Sequence, residues 1–404
     1  MNAPAPPSRG ALGVLFLTVF LDLLGFGLVI PILPLYAKHL ALAPAMIGPL
    51  FASYSTMQFL FAPMWGMLSD RVGRRPVLLV SVFGSMVAHG LMASAHGPAL
   101  LFVARSFAGL CGANLSAAQA YIADVTSERD RARGMGLIGA AFGIGFVLGP
   151  AIAGIVSKFY GIAAPFWFAS GLAAVNLVSA ALLLPEPPHA VRAQAPRPRL
   201  AAIVSALRTP ELAPLLLIFF LVTFAFAKLE STFSLWLAEP PFRYDEAHVG
   251  YVFTYIGVLL ILVQGVLVGR LARRFGEARL IKVATALLAA GIVLLPIAHS
   301  VPVLLLVILP ITFGNGLNNP STSALISRLS PPDRQGEVLG VAQSMSSLGR
   351  IFGPPTGTFL FAHVSKNAPY LVGGAIMATA CLLALARVRT AKRGAPGEDA
   401  RVRL

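Results

Sequence analysis

Runs of about twenty apolar residues recur twelve times along this chain, and no other feature constrains its fold as strongly. They fall at roughly 11–37, 45–68, 77–95, 98–123, 133–157, 163–184, 212–238, 247–269, 280–298, 301–327, 337–363 and 368–386. Each is long enough to cross a hydrocarbon layer as a helix, and inside lipid only such a helix or a closed barrel satisfies its own backbone. Composition agrees, with 57% hydrophobic and only 12% charged residues. A soluble domain needs about 25% charged residues to cover its surface. The expected fold is therefore an all-α polytopic membrane protein with twelve transmembrane helices. The first run follows Arg9 as a secretory signal would, but it carries Asp22 and leads into eleven more, so it reads as a retained helix. Cys111 and Cys381 both lie in apolar runs and give no disulfide framework.

The net charge of +15 raises the question of nucleic acid, and the placement of the charges answers it. With an even number of spans both termini lie on one side, and that side carries 24 of the 31 basic residues. The opposite side has four, Lys38, Lys158, Arg243 and Lys366. This asymmetry is a topology signal that puts both termini in the cytoplasm. No nucleic-acid partner is expected.

One long polar stretch, with Pro185, Pro187, Pro188, Pro196 and Pro198, interrupts the spans near the middle of the chain. The organisation expected is a six-helix bundle over 1–184, a cytoplasmic linker over 185–211, a second bundle over 212–387 and a cytoplasmic tail over 388–404. The two bundles carry the traces of a repeat. The stretch from Gly66 to Gly73 shares glycine, leucine, arginine and glycine with that from Gly269 to Gly276, and Gly145, Gly149 and Pro150 return as Gly349, Gly353 and Pro354. Two halves of equal orientation predict a substrate site where they meet, near the membrane midplane.

The stretch Gly66-Met67-Leu68-Ser69-Asp70-Arg71-Val72-Gly73-Arg74-Arg75-Pro76 resembles the loop signature of the major facilitator superfamily. Asp22-x-x-Gly25-x-Gly27 with Pro31 and Pro34, Arg105 with Gly109 and Gly112, and Gly145-x-x-x-Gly149-Pro150-x-x-x-Gly154 are similar to motifs of its drug/proton antiporter branch, which contains the tetracycline exporters. The resemblance covers nearly the whole chain. It implies secondary active transport by alternating access in the inner membrane, with the proton as coupling ion, a small organic substrate, no cofactor, and action as a monomer. It departs from the tetracycline exporters where they carry charges in helices 3, 8 and 9, because Ala88, Leu260 and Leu288 stand there.

The motifs have physical readings of their own. Gly66 permits two helices to approach closely. Asp70 sits at a helix end, where an anion can meet the positive N-terminus of a neighbouring helix, and the resemblance implies helix 11 for that neighbour. Arg71 before Gly73, or Arg74 or Arg75 after it, is available to pair with Asp124, which gives a conformational latch; the alternative is that these charges only set topology. Gly145, Gly149 and Gly154 with Pro150 make a smooth, bent helix face, as do Gly349 and Gly353 with Pro354. The resemblance places both helices where the halves meet; packing without a role in transport is the alternative.

Charges within the spans carry most of the functional information: Asp22, Arg105, Lys228, Glu230 and Arg350. Unpaired, each costs about 2.5–3.5 kcal/mol on insertion scales, so such groups face a cavity or a partner. Burial disfavours the charged form of a carboxyl and a nearby arginine favours it, so alternation between the two environments binds and releases a proton. Glu230 and Asp22 are the candidate coupling acids, with Arg105 and Arg350 as counter-charges, while Lys228 is free to snorkel outward. Gln58, Asn114, Gln119 and Gln264 are candidate substrate contacts, or else interhelical hydrogen bonders. No histidine pair has metal-ligand spacing and there is no Walker-type phosphate loop, so neither a metal centre nor an enzyme is indicated. Proton-coupled efflux of amphipathic compounds, transport of a specific metabolite, and a receptor or scaffold without flux remain as readings.

Overall fold

The computed structural model describes residues 9–112, 117–118, 121–122, 124, 128–186, 199–331 and 334–388. Among the described residues each predicted span forms a helix: α1 (Arg9–His39), α2 (Pro44–Val72), α3 (Arg74–Ala93), α4 (Pro98–Cys111), α5 (Glu128–Tyr160), α6 (Ala164–Leu183), α7 (Ala213–Ala238), α8, α9 (Glu277–Leu294), α10 (Val301–Leu329), α11 (Gln335–His363) and α12 (Ala368–Arg387). Helix α8 runs as Glu246–Ile261, a π-helical segment Leu262–Leu267, and Val268–Phe275. A short helix, Arg199–Leu207, follows the proline-rich linker. Eight of these helices, among the described residues, cross a membrane on length and composition alone. Of the other four, α2 and α11 pack against the opposite half, where they need less apolar surface than a lipid-facing helix.

The repeat is visible in the turns. Gly73 and Gly276, equivalent in the two halves, both have positive φ, +107° and +79°. Each closes its helix by an N–H bond to the carbonyl four residues back, Ser69 in one half and Ala272 in the other. Side chains avoid that conformation, which is why the glycine recurs.

Contacts between the halves follow the same symmetry, α2 against α11 and α5 against α8, with α1 against α7 between them. The two cores interlock along that central pair: Ile30 and Leu35 of α1 join the C-terminal core, and Leu235 of α7 joins the N-terminal one. The close contacts are concentrated at the face opposite the termini. There Gly48 presses on the carbonyl of Pro354, Gly154 lies against Gly250, and Lys38 pairs with Glu239 at 3.3 Å. Thr358, fully buried, ties α11 to α2 by accepting from the Gly48 N–H and donating to the Ala45 carbonyl, both at 3.1 Å. Towards the face that bears the termini, Gly66, Gly265, Gly269 and Gly340 look onto open space. The halves are thus shut at one end and parted at the other.

Candidate functional site

A cavity of about 140 Å³ lies between α1 and the C-terminal helices α7, α8, α10 and α11. That is close to the size of an engineered cavity that admits benzene. Five phenylalanines line it, Phe26 from α1, Phe219, Phe226 and Phe233 from α7, and Phe253 from α8. Its charged members are Glu230 and Arg350, and its polar ones include Gln264, Thr312, Asn315, Asn318 and Asn319. Two of the proposed coupling residues and one candidate substrate contact therefore line one cavity.

The other two coupling residues lie just across the seam, outside that lining. Arg105 on α4 is 5% exposed, with its guanidinium 4.6 Å from the Tyr54 ring and 5.7 Å from that of Phe51. Gly109, one turn on, admits the Tyr54 backbone where a side chain would collide with its carbonyl. The Tyr54 ring is 6.1 Å from that of Phe26, and its hydroxyl accepts from Gln58 at 3.4 Å. Gln58 also donates to the Gly112 carbonyl at 3.1 Å, so its amide is engaged in holding α2 to α4. Asp22 accepts from Ser85 of α3 at 3.4 Å. Tyr54 lies within electrostatic reach of Arg105, Asp22 and Arg350, and Glu230 within reach of Arg350 and Arg105. The four charges from α1, α4, α7 and α11 thus form one electrostatic neighbourhood, and Tyr54 is within reach of three of them.

Lys228 departs from expectation. It does not snorkel; it is 1% exposed, lies in the seam of α7 and α11, and holds its amine 4.8 Å from the Phe224 ring. The room comes from Gly357, whose missing side chain the lysine stem occupies. Its position two residues before Glu230 turns it to the other side of the helix, away from the cavity.

The loop residues form a network at the parted end. Arg74 donates from Nε to Asp124 at 2.7 Å and meets Asp70 at 2.6 Å, while Glu186 accepts the backbone N–H groups of Arg74 and Arg75. Arg75 also donates to the Ala181 carbonyl. Asp70 is more than half exposed and turns to Arg74 rather than to α11. Gly66 meets no neighbour, so the close approach expected there is not made in this conformation. Arg71 is exposed.

The packing glycines serve both kinds of contact. Gly145 and Gly149 seat α5 on Leu23, Gly27 and Leu28 of α1 in the same half, and Gly154, beyond Pro150, meets Ala247 and Gly250 of α8 in the other. Gly349 and Gly353 seat α11 on Phe224 and Ala227 of α7, and Pro354 offers its carbonyl side to Gly48 of α2. Asn114 and Gln119 lie outside the described residues.

Sequence reading missed Tyr54, Thr312, Asn315 and Asn319. The signal for the last three was available, since they share a face of α10 at i, i+3 and i+7. The π-helical segment of α8 was not legible. It puts Val263 onto Gly316 of α10 and turns the next residue, Gln264, into the cavity.

Comparisons with known proteins agree with this architecture. The chain is 34% identical over 393 residues to the class C tetracycline resistance protein of Escherichia coli, covering 94% of this chain and 97% of that one. It is 27% identical to multidrug resistance protein 2 of Bacillus subtilis, covering 90% and 92%. The crystal structure of the human organic anion transporter MFSD10 (TETRAN) superposes with a TM-score of 0.73 at 27% identity, covering 94% of this chain and all of that one. Residues 15–284 and 231–403 match the Major Facilitator Superfamily. Twelve helices in two repeated halves, with a charged and aromatic cavity in the second half closed on one side by Phe26 of the first, thus coincide with sequence kinship over nearly the whole chain, and the chain belongs to the Major Facilitator Superfamily.

Proposed function

We propose that this protein exports small amphipathic organic compounds across the inner membrane, as a monomer, at the expense of a proton gradient. The supporting observation is a phenylalanine-lined cavity holding Glu230 and Arg350 at the meeting of two halves, shut at one end and parted at the other. The basic residues crowd the face that bears the termini, so that face is cytoplasmic and the conformation opens inward. The relatives named for resistance to tetracycline and to multiple drugs support export as the direction.

Alternation then exchanges two sets of inter-half contacts. Opening outward breaks Lys38–Glu239 and the Thr358 bonds, while the parted end closes and carries Asp70 to α11. A carboxyl in the spans changes protonation on the way. Glu230 is the first choice, because Arg350 of its own half stays near it while Arg105 of the other half stabilises its anion only while the halves hold it near. Asp22 is the second. The experiment is pH-gradient-driven transport in proteoliposomes containing Glu230→Gln, Asp22→Asn or both. Neutralising the coupling acid abolishes accumulation against a gradient and preserves downhill exchange. A double variant that still concentrates substrate at the expense of a pH gradient overturns carboxyl coupling.

A further inference from the structure

The turn from α8 to α9 repeats the turn from α2 to α3, but its charges do not. In the first half three carboxylates meet the arginines there: Asp70 and Asp124 pair with Arg74, and Glu186 accepts the N–H groups of Arg74 and Arg75 at the start of α3. In the second half Arg273 stands 203 residues after Asp70. From Gly269 to Lys282 the single acid is Glu277, and Arg328 already holds it. Arg270, Arg273, Arg274, Arg279 and Lys282 are left without an ion pair among the described residues, and the four arginines are exposed.

The start of α9 shows what the missing acids leave behind. A β-carbon built at Gly73 lies 2.6 Å from the Glu186 carboxylate, whereas one built at Gly276 meets nothing within 4 Å. The sixth helix of each half ends alike, with Leu184 and Val388 buried and their N–H groups bonded to Ala180 and Ala384. Glu186 follows two residues after Leu184, but after Val388 the chain reads Arg389-Thr390-Ala391-Lys392-Arg393, without an acid. The start of α9 is therefore open where the start of α3 is filled by a carboxylate, and cations surround it in sequence. A helix start in that setting draws an anion.

Topology accounts for arginines on this face of the membrane, but not for their alignment with its apolar surface. Helix α9 packs on α10 and α12. Its outer face exposes Val283 and Leu294, three turns apart, and exposed apolar side chains on a span meet acyl chains. Arg279 lies one turn before Val283 on that face. Phe275 is exposed beside it in the turn, with the Arg274 guanidinium 5.3 Å from its ring. A free phosphate would use only the cations, while a phospholipid uses the cations and the apolar stripe below them.

We propose that the end of α8 and the start of α9 form a seat for an anionic phospholipid of the cytoplasmic leaflet. Arg273, Arg274 and Arg279 hold its phosphate, whose oxygens match the guanidinium fork, and an acyl chain lies along Val283. Helix α9 does not line the cavity, so the seat is separate from the transport path and stands or falls apart from the export reading.

The test titrates the purified protein, in a neutral detergent, with phosphatidylglycerol or phosphatidylcholine and counts bound lipid by native mass spectrometry. Phosphatidylglycerol is expected to bind at least about tenfold more tightly than phosphatidylcholine. Arg274→Gln and Arg279→Gln each weaken its binding about fivefold, the worth of one cation at a lipid surface, while Arg279→Lys keeps it. Arg208→Gln, which removes an exposed cation outside the turn, leaves binding unchanged. Equal binding of the two lipids, or an equal loss in Arg208→Gln and Arg279→Gln, overturns the seat. Displacement of the lipid by millimolar inorganic phosphate overturns the lipid as its occupant.

Discussion

Gly48→Ala is the most direct test of how the halves are held together. A β-carbon built at this position lies 2.3 Å from the Pro354 carbonyl oxygen and 2.3 Å from the Thr358 hydroxyl. Both neighbours belong to the fully packed α2–α11 seam, and the carbonyl is backbone, so no side-chain rotation relieves the clash. Restoring the 3.4 Å at which ordinary contact begins requires a displacement of about 1.1 Å. That separates the helices and breaks the 3.1 Å bond from the Gly48 N–H to Thr358. Overpacking of this kind costs roughly 1–3 kcal/mol and the hydrogen bond about 1 kcal/mol more. The sum of roughly 2–4 kcal/mol falls only on the conformation shut at this end, and it shifts the balance towards the opposite one by roughly thirtyfold to a thousandfold. The assay uses Phe26→Cys in a chain lacking Cys111 and Cys381, labelled with an impermeant maleimide from the face opposite the termini. The alanine variant is expected to label much faster from that face. Unchanged labelling at normal abundance refutes the reading that this seam is a gate.

Two further outcomes are expected. Asp70→Asn removes a partner of Arg74 at a site more than half exposed, so the thermal midpoint in detergent moves little, since such pairs contribute under about 1 kcal/mol. In the alternation proposed above the closing end carries this anion to α11, so transport is expected to fall steeply; full activity reduces the loop to a topology signal. Asp245 caps α8 by accepting from the His248 N–H at 2.9 Å. Partial burial acts to raise its pKa, but the hydrogen bonds from the backbone and ring of His248 outweigh it and hold the carboxyl below its ordinary value. A depressed carboxylate contributes stability above its unfolded pKa of about 3.9 and loses it as pH falls through the folded value. Asp245→Ala therefore lowers stability by about 1 kcal/mol at neutral pH, and the gap to the parent chain narrows below about pH 4. A gap independent of pH rules out the ionised cap.

The helices were legible because lipid leaves so few alternatives: an apolar run of twenty residues is both the sequence signal and the finished element. The close seams were legible in part. Glycine spacing identified α5 and α11 as packing helices, yet which neighbour each glycine meets depends on helix rotation, and Gly145 turned inward to α1 while Gly154 turned outward to α8. The charges were visible as residues too costly to be idle, but their grouping was not. Tyr54, which brings Asp22, Arg105 and Arg350 into one neighbourhood, is an ordinary aromatic in sequence. Lys228 shows the reverse difficulty. Its long stem allows it to reach the membrane surface or to fold into a gap, and the gap exists only because Gly357 stands on another helix.

The ion pair between Arg74 and Asp124 has a counterpart 203 to 204 residues on, in the two contacts of 2.8 and 3.0 Å between Glu277 and Arg328. Each joins the start of the third helix of its half to the end of the fourth, and the signs are exchanged. Duplicated halves of like shape risk folding with pieces of one inserted into the other, since the backbone alone scarcely distinguishes them. Here an exchange of the third helices alone sets Arg74 against Arg328 and Glu277 against Asp124, two repulsions in place of two attractions. The reversed polarity therefore distinguishes the two halves where their backbones do not.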